Sequence, residues 1–542
     1  MLFLIRPAYC KKSLIHTLYP TPNNFTLVYY CRPAIHCNSS EIMANIREVK
    51  HLPAEYYRDF LSTLAKERKP SPIRSLFPLE KTPGVISLLA GKPNASTFPF
   101  TSLSFSARSP TDPTQESTLT IDGAELEAGL QYGDTAGLKP LLDWIFGLQE
   151  VFHGRRRGEG WRISMGSGSQ DLIYKAVNAM IDPGDSVLVE SPVYAGVIPM
   201  FHSLHCDQIE VETDAHGIRA SSLRSILEQW PTDKPKPKVL YTVPYGCNPT
   251  GASATLERRK EVLKLAREHN FIILEGKSSS GFLLVAVSSH THTAPSPIFS
   301  PFSASVRCAF SQRVTNLLLY DPYFYLYYGK EPQYPSYFAL ELEEPEVGHV
   351  LRFDSLSKIL SAGIRIGFAS GPEALLNAID QHTATSNLQT SSLTQAIVYR
   401  LLDSWGYDGF KTHTERVSEF YRQKRDVFEN AMKKHLTGLA EWSSPEAGMF
   451  FWFKLLLSDD QGEGGDSETA IKTKAFEKGV LALPGTHFLP NGRATPYVRA
   501  SFSLTGEEDV DRAVRRIREA ILDARKESEG GGVGVNGNGT AH

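Results

Sequence analysis

Short runs of apolar residues alternate with longer segments of helical periodicity between residues 161 and 369 of this chain. The clearest runs cover residues 187–189, 239–243 and 271–274, and β-branched and aromatic side chains of the kind that favours strands are frequent in them. Strands that alternate with helices form βαβ units, which build a mostly parallel sheet covered by helices. The alternation therefore predicts an α/β fold with a mostly parallel central sheet.

The pattern is different at the two ends of the chain. A helical pattern covers residues 53–67, near the start. Beyond residue 386, long helical segments precede strand patterns at 450–454 and 497–502 and a helix at 508–524, which predicts a smaller α+β domain. Residues 527–542 are rich in Gly and Asn, and we expect them to be disordered.

The composition is that of an ordinary soluble protein. Of 542 residues, 22% are charged and 41% are hydrophobic, and the formal net charge is −3. No bulk field attracts nucleic acid or an anionic membrane, so we expect neither as a partner. The longest apolar run, residues 282–287, is far too short to cross a bilayer. The six cysteines form no CxxC pair, and we expect neither a disulfide framework nor a metal site.

The first 42 residues do not fit the pattern of the rest. Residues 1–40 contain no Asp or Glu but carry Arg6, Lys11, Lys12 and Arg32. A mitochondrial transit peptide has this basic character, and a translated upstream leader with Met43 as the true start explains it equally well. We therefore expect the protein in the cytoplasm, or in mitochondria if this segment is a transit peptide.

The most informative stretch for chemistry covers residues 355–367 and reads SLSKILSAGIRIG. A lysine next to small hydroxyl residues is able to form a Schiff base with an aldehyde, while nearby serine and arginine side chains bind a phosphate. Lys358 is this lysine, and Arg365 follows it seven residues later. The stretch therefore indicates a site for a phosphorylated aldehyde.

Two further loops carry side chains suited to such a site. Residues 166–170, GSGSQ, open a helical segment, and such a helix N-terminus presents backbone N–H groups to a phosphate. Residues 241–251, YTVPYGCNPTG, follow a strand pattern. The NPTG sequence is ordinary turn chemistry; alternatively, the Asn248 amide hydrogen-bonds a ring oxygen of a cofactor.

The order and content of these stretches resemble the class I and II pyridoxal-phosphate aminotransferases of fold type I. Within this family the chain is most similar to the kynurenine/2-aminoadipate and fungal aromatic aminotransferase group. Further matching stretches are KPSPIR (69–74), LQYG (130–133), ESPVY (190–194), AGMF (447–450) and PYVRASF (496–502). The resemblance implies the fold type I architecture, a pyridoxal 5′-phosphate cofactor and a homodimer.

The resemblance also implies a role for each matching residue. Lys358 would bind the cofactor covalently and then act as general acid and base. Its phosphate would be bound by Ser169, Gln170, Ser355 and Arg365, with Ser357 close to it. Tyr194 would stack on the pyridine ring, and the ring hydroxyl would accept hydrogen bonds from Asn248 and Tyr323.

The substrate side of the site follows from the same resemblance. Arg499 would bind the α-carboxylate of the substrate through a two-point fork. Gly91, Asn248 and Tyr132 would line the same pocket. The Tyr132 side chain would come from the other copy of the chain, as Tyr132 of the partner subunit.

The chain departs from the family after its central strand. There the family has an acidic residue followed by Asp-Asp-Pro-Tyr, and the first Asp pairs with the pyridine nitrogen. Here Glu275 and Gly276 are followed by a serine-rich segment without acidic residues, 277–320, and only then by the sequence DPY at 321–323. The position of the pairing Asp thus holds Gly276 or Tyr320. Because long structureless loops are rare in compact domains, the segment is either a translated, unspliced intron or a real insertion that impairs the cofactor site.

These observations divide the chain into five parts. They are a leader or extension (1–42), an N-terminal arm with part of the small domain (43–125), a large cofactor-binding domain interrupted at 277–320 (126–385), a small C-terminal domain (386–526) and a tail (527–542).

We predict a homodimeric transaminase that works by a ping-pong mechanism. An aromatic amino acid, kynurenine or 2-aminoadipate would be the donor, and 2-oxoglutarate or another 2-oxo acid would be the acceptor. Two alternatives stay open: a catalytically impaired protein that still binds pyridoxal phosphate, and a pyridoxal-phosphate lyase or decarboxylase on the same fold.

Overall fold

A computed structural model of the chain describes residues 49–80, 82–89, 91–276, 324–458 and 465–530. The leader (1–42), the serine-rich segment (277–320), Tyr323 and residues 531–542 lie outside these ranges, so the predictions made for them stay predictions.

The described strands, in chain order, are β1 (Ser102–Arg108), β2 (Glu116–Asp122), β3 (Trp161–Gly166), β4 (Ser186–Ser191), β5 (Asp207–Asp214), β6 (Gly217–Ile218), β7 (Val239–Thr242), β8 (Ile272–Glu275), β9 (Val350–Ser355), β10 (Gly367–Pro372), β11 (Ala440–Trp442), β12 (Phe450–Leu455), β13 (Leu483–Pro484) and β14 (Tyr497–Ser501).

The described α-helices are α1 (Thr63–Glu67), α2 (Phe77–Glu80), α3 (Gly123–Leu130), α4 (Lys139–His153), α5 (Ser169–Met180), α6 (Ile198–Ser203), α7 (Ala220–Glu228), α8 (Leu256–His269), α9 (Tyr337–Leu340), α10 (Glu373–Ser386), α11 (Ser392–Leu436), α12 (Ser467–Thr469) and α13 (Glu507–Gly530). Short 3₁₀-helices cover Ala54–Phe60, Arg74–Leu76, Ala95–Thr97, Glu341–Glu343 and Gly485–Phe488, and a π-helical turn covers Ala470–Ala475.

The larger sheet confirms the predicted α/β fold. In the described part of the chain its strands are ordered β3-β10-β9-β8-β7-β4-β5-β6. The pairs from β9 through β8, β7 and β4 to β5 are parallel, whereas β10 is antiparallel to both β9 and β3, and β6 is antiparallel to β5. Strand β3 therefore runs in the same direction as β9, β8, β7 and β4.

Helices cover both faces of this sheet, which explains why its central strands β4, β7, β8 and β9 are buried along almost their whole length. Alternate residues of a strand belong to different cores: Leu240 packs with α4, α7 and α8, whereas Val239 packs with α5 and α10. The carboxyl ends of the parallel strands meet at one edge of the sheet, and ligand sites of α/β proteins form at that edge.

A second, antiparallel sheet forms the smaller part of the molecule, as predicted for the C-terminal region. Its strand order is β11-β12-β14-β13, and it packs with α11 and α13. Helix α11 is interrupted at Gly406, which has φ +60° and ψ −176°, a backbone conformation that glycine adopts without steric strain. The β1–β2 hairpin rests against α11, where Arg416 donates a hydrogen bond of 2.8 Å to the carbonyl of Pro110.

Two expectations about helices were wrong at their boundaries. The pattern at 53–67 forms a 3₁₀-helix, Ala54–Phe60, and a separate α-helix, α1, because Leu61 and Ser62 are extended and the Ser62 hydroxyl caps α1. The helix predicted at 508–524 continues to Gly530, so residues 527–530 are helical rather than disordered. An ion pair of 2.5 Å between Lys474 and Glu527 holds this last turn.

No helix in the described ranges has the length and apolar character needed to span a membrane.

Arg352 on β9 is fully buried between two carboxylates. Its guanidinium lies 3.2 Å from Glu275 and 2.7 Å from Asp354, and both acids are also buried. We expect Arg352→Met to lower the free energy of unfolding by about 3–5 kcal/mol, because it leaves two buried carboxylates without their cation.

Urea unfolding followed by circular dichroism measures this loss. The matched control is Arg219→Met, whose ion pair with Glu212 is exposed, and which is expected to cost less than about 1 kcal/mol. Equal losses in the two variants would contradict the assigned role of the buried cluster.

Candidate active site

Five strand ends deliver the predicted site residues to one edge of the larger sheet. Strand β3 leads into Ser169, β4 into Tyr194 and β7 into Asn248, while β9 ends at Ser355. Strand β10 begins at the same edge, immediately after Arg365, because it is antiparallel to its neighbours. Residues that are almost 200 positions apart in sequence thus meet because their strands share a direction.

The N-terminus of α5 forms the phosphate side of this edge. Gly168 precedes the helix with φ +89°, and no side chain caps the first turn. The Ser169 hydroxyl is buried, and no described group hydrogen-bonds to it. Backbone N–H groups at a helix start and an unused hydroxyl are the donors that a phosphate needs.

Arg365 lies across this helix start. Its guanidinium donates to the Ser167 carbonyl at 2.9 Å and to the Ser357 hydroxyl at 3.1 Å. A Cβ atom added to Gly168 would come within 2.5 Å of the same guanidinium, so glycine is required for this close approach. Ser357 is in turn linked to Ser355, whose hydroxyl accepts a hydrogen bond of 3.2 Å from the Ser357 N–H.

Gln170 acts mainly on the protein itself. Its side-chain N–H donates to the Gly196 carbonyl at 2.8 Å, which ties the loop after Tyr194 to α5. Tyr194 is buried in that loop. A phosphate contact from Gln170 therefore falls to its backbone N–H in the first turn of α5, and such a contact stays a prediction.

Lys358 is half-buried, and the charges of two arginines act on it. Its pKa is lowered from the ordinary lysine value, first by burial and then by the charges of Arg365 and Arg499. No described residue forms a hydrogen bond or ion pair with its ammonium group. The amine is thus available for reaction, and it lies within the electrostatic reach of both arginines.

Arg499 on β14 brings the smaller sheet to the site. Its guanidinium donates to the Asn248 side-chain oxygen at 2.8 Å and lies over the rings of Phe450 and Phe488, with centroid distances of 4.2 and 5.0 Å. Because the Asn248 oxygen accepts from Arg499, the amide N–H₂ of Asn248 points away from Arg499. The two aromatic faces hold the guanidinium in place.

Gly91 and Tyr132 lie apart from this group. A side chain on Gly91 would meet open space, and Tyr132 is 52% exposed. Their two segments contact each other, since the Gln131 amide donates to the Pro93 carbonyl at 2.8 Å. None of the described contacts joins either residue to Lys358, Asn248 or Arg499. Their predicted place at a substrate pocket stays a prediction.

Sequence reasoning missed several residues that shape the site. Phe488 is one, because its sequence surroundings carry no chemical motif. Gly367 is another: an added Cβ would lie 2.7 Å from backbone atoms of Gly168 and Ser169, so the glycine lets β10 pass close to the helix start. Glu190 is a third; a carboxyl residue that ends an apolar strand run was the available signal.

The residues present fit pyridoxal phosphate. A phosphate fits the start of α5 with the unpartnered Ser169 hydroxyl and Arg365, and an aldehyde fits the available amine of Lys358. The fold and this site define an enzyme of the fold type I class that depends on pyridoxal phosphate.

Comparisons with known proteins agree. The family described as aminotransferase class I and II matches residues 131–275 and 311–517. Aminotransferase tdiD of Emericella nidulans is 40% identical over 458 residues, which are 84% of this chain and 94% of that protein. The mitochondrial kynurenine/alpha-aminoadipate aminotransferase of Bos taurus is 35% identical over 492 residues, covering 86% and 99% of the two chains. The chain belongs to the class I and II aminotransferase family.

The crystal structure of aminotransferase Aro8 from Candida albicans has the same fold. It matches with a TM-score of 0.71 over 88% of this chain and 99% of that chain, at 22% identity. The protein is accordingly a transaminase that uses pyridoxal phosphate. The family match stops at Glu275 and resumes at residue 311, so residues 276–310 have no counterpart in it, whereas 311–320 do.

Without its cofactor, the protein carries a buried amine beside two cations, and this arrangement destabilises the fold. A lysine whose folded-state pKa is lowered disfavours folding at pH values below its ordinary pKa, and the effect disappears above about pH 10. We expect cofactor-free Lys358→Met to have a higher free energy of unfolding than the cofactor-free wild type at pH 7, and the difference to shrink towards about pH 10.

Urea titrations of both cofactor-free proteins at the two pH values measure this. The control is Lys66→Met on the exposed face of α1, which is expected to leave the pH dependence unchanged. A Lys358→Met protein that is less stable than the wild type at both pH values would rule out the electrostatic explanation.

Proposed function

We propose that this transaminase takes the amino group of aromatic amino acids, kynurenine or 2-aminoadipate and transfers it to 2-oxoglutarate or another 2-oxo acid by a ping-pong mechanism. The observation that carries the proposal is the position of Lys358 within the fields of Arg365 and Arg499. This supports a reactive amine close to one cation that would bind a phosphate and to another that would bind a carboxylate, as an amino-acid substrate bound at a phosphorylated cofactor requires.

Bound pyridoxal phosphate supplies an aldehyde and an electron-accepting ring. Lys358 would hold this group covalently and would move the proton at the substrate Cα. Because burial and two neighbouring cations lower the pKa of Lys358, its free-base form is more accessible at neutral pH than that of an exposed lysine. Ser169, Ser355, Ser357 and Arg365 would anchor the phosphate, and Tyr194 would stack on the ring.

Arg499 would bind the substrate carboxylate and so orient the Cα–H bond toward Lys358. The Asn248 oxygen accepts a hydrogen bond from its guanidinium, and the Asn248 N–H₂ group would donate to the cofactor hydroxyl. The rings of Phe450 and Phe488 beside Arg499 provide an apolar surface, which supports a donor with an aromatic or long side chain. The name of the Bos taurus relative with 35% identity, a kynurenine/alpha-aminoadipate aminotransferase, supports the same substrate class.

Absorbance spectroscopy of the purified protein tests the proposal. We expect a visible cofactor band that is lost on addition of phenylalanine, kynurenine or 2-aminoadipate and restored by 2-oxoglutarate. Lys358→Ala should abolish the response, whereas Lys66→Ala on the surface should not.

Arg499→Gln is expected to raise the KM of every amino donor about 10- to 100-fold, because a charge-assisted fork is lost.

The other outcomes point to the alternative functions. A bound cofactor whose band does not respond to any amino donor indicates a binding-only protein, as expected if the segment after Gly276 impairs the site. Release of CO₂ without regeneration by a 2-oxo acid indicates a decarboxylase.

We further propose that a second copy of this chain completes the site. Apolar side chains are strongly exposed in the N-terminal arm, where Ile86 is 90% and Leu88 is 97% exposed, and Leu79 and Phe100 are exposed too. Large apolar side chains clustered in the open are typical of a protein interface. Gly91 and Tyr132 lie in or next to the same region, and a partner that covers it would bring Tyr132 of the partner subunit to the substrate pocket.

We expect the double variant Ile86→Asp/Leu88→Asp to be monomeric in light scattering, where the wild type is dimeric, and to lose transaminase activity. The reason is that burying two charges in an apolar interface costs more free energy than the apolar contact between the subunits provides. Leu504→Asp is the matched control, since Leu504 is 93% exposed outside the arm. A monomeric wild type, or a double variant that remains dimeric, would contradict the proposal.

For the compartment we propose the cytoplasm, with mitochondria as the alternative. The alternative is supported by the basic residues 1–42 and by a relative from Bos taurus that is named as mitochondrial. Mass spectrometry of the native N-terminus distinguishes an unprocessed chain from one cleaved after import.

A further inference from the structure

We propose that Glu190 is a positioning residue of this transaminase: by accepting hydrogen bonds from Thr242, Val243 and Cys247, it sets the position of the Asn248 loop relative to the Tyr194 loop. The proposal rests on the proposed function in one respect, because it takes Tyr194 and Asn248 to be the residues that contact the cofactor.

Glu190 lies where the two loops begin. It is the last residue but one of β4, and the chain reaches Tyr194 four residues later. The neighbouring strand β7 ends at Thr242 and leads to Asn248, and the two strands pair at Val189 and Tyr241. A side chain at this point is able to connect both loops before they separate.

The carboxylate accepts three hydrogen bonds, all from the β7 side. The Thr242 hydroxyl donates to one oxygen at 2.6 Å, and the Val243 N–H and the Cys247 thiol donate to the other at 3.2 and 3.3 Å. Glu190 itself is only 2% exposed. The donors cover the whole segment from the end of the strand to the residue before Asn248.

No described basic side chain forms an ion pair with Glu190, in contrast to two other buried glutamates. Glu275 contacts Arg352, and Glu341 contacts Arg155. Burial therefore raises the pKa of Glu190 to about 7 despite its three donors. A buried carboxyl without a cation is costly for the fold, so packing alone does not explain its presence here.

Cys247 connects Glu190 to the turn that carries Asn248. The Cys247 carbonyl accepts from the Gly251 N–H at 2.6 Å and its N–H donates to the Ala252 carbonyl at 2.9 Å, so residues 247–252 form a closed turn. The thiol anchors the first residue of this turn to Glu190. Asn248 is the second residue of the turn, and it holds the Arg499 guanidinium. A displacement at Glu190 would thus reach the cofactor contact of Asn248 and the carboxylate contact of Arg499 together.

Comparing Glu190→Ala with Glu190→Gln separates the effect of losing the hydrogen bonds from the effect of losing the negative charge. Gln keeps a carbonyl that accepts from the Val243 N–H and the Cys247 thiol, and its N–H₂ group is able to donate to the Thr242 hydroxyl. We expect Glu190→Ala to raise the cofactor dissociation constant at least about 10-fold, to shift the pH midpoint of the bound cofactor's visible band, and to raise the KM of amino donors. Glu190→Gln should remain within about 3-fold of the wild type in all three.

The matched control is Glu341→Ala. Glu341 is equally buried, and burial raises its pKa to about 7 as well, but it accepts from the Gly348 and His349 N–H groups at the opposite end of β9. We expect this variant to unfold more easily while its cofactor dissociation constant and KM do not change. Equal effects of the two alanine variants on these constants, or wild-type constants in Glu190→Ala, would overturn the proposal.

If Glu190→Ala does not fold, a second pair of variants, at Cys247, tests the same proposal. Cys247→Ser keeps a donor toward Glu190 and Cys247→Ala removes it, so only the alanine variant should weaken cofactor binding; Cys206→Ala is the control for loss of a cysteine elsewhere. Equal binding by the serine and alanine variants contradicts the proposal.

The absorbance spectrum of Lys358→Ala distinguishes a failure of the positioning role from a failure of the proposed function. If it abolishes the visible band while Glu190→Ala behaves as the wild type, only the positioning role is wrong. If it leaves the band unchanged, the proposed function is wrong.

Discussion

The direction of the central strands is the constraint on which the remaining structure depends. Strands β3, β4, β7, β8 and β9 point the same way, so the loops that follow them all emerge at one edge of the sheet. Parallel neighbours need long helical crossovers, and these crossovers separate the loops widely in sequence. The same geometry brings a helix N-terminus, a lysine and an arginine into one small volume. The site is in this sense a consequence of the topology.

Cations and buried acids both lie at this edge. The charges of Arg365 and Arg499 contribute to lowering the pKa of Lys358. Glu190, Glu275 and Asp354 are buried at or near the ends of their strands. Arg352 compensates two of these acids directly, whereas backbone, hydroxyl and thiol donors compensate Glu190. Glu190 therefore fixes the segment that leads to Asn248, at a cost in stability that its hydrogen bonds only partly offset.

The smaller sheet adds Arg499 to the residues at the edge of the larger sheet. Arg499 comes from β14, more than a hundred residues after Lys358, and reaches Asn248 across the boundary between the two sheets. The backbone of Phe488 accepts from the Val193 N–H at 2.9 Å, directly before Tyr194. The loop that carries Tyr194 is thus tied to Phe488, whose ring lies beside the Arg499 guanidinium.

The fold class was predictable from the sequence, because alternating strand and helix periods are local patterns and indicate a parallel sheet. The motifs around Lys358, Asn248 and Arg499 predicted the reactive groups, and their roles stay predictions. The tertiary structure alone decided how these groups meet: that Arg365 lies across the start of α5, that Phe488 supports Arg499, and that Glu190 receives three donors from another strand. The first and the third of these contacts join residues about 50 to 200 positions apart, and the energies of all three depend on burial and distance, which no local pattern encodes.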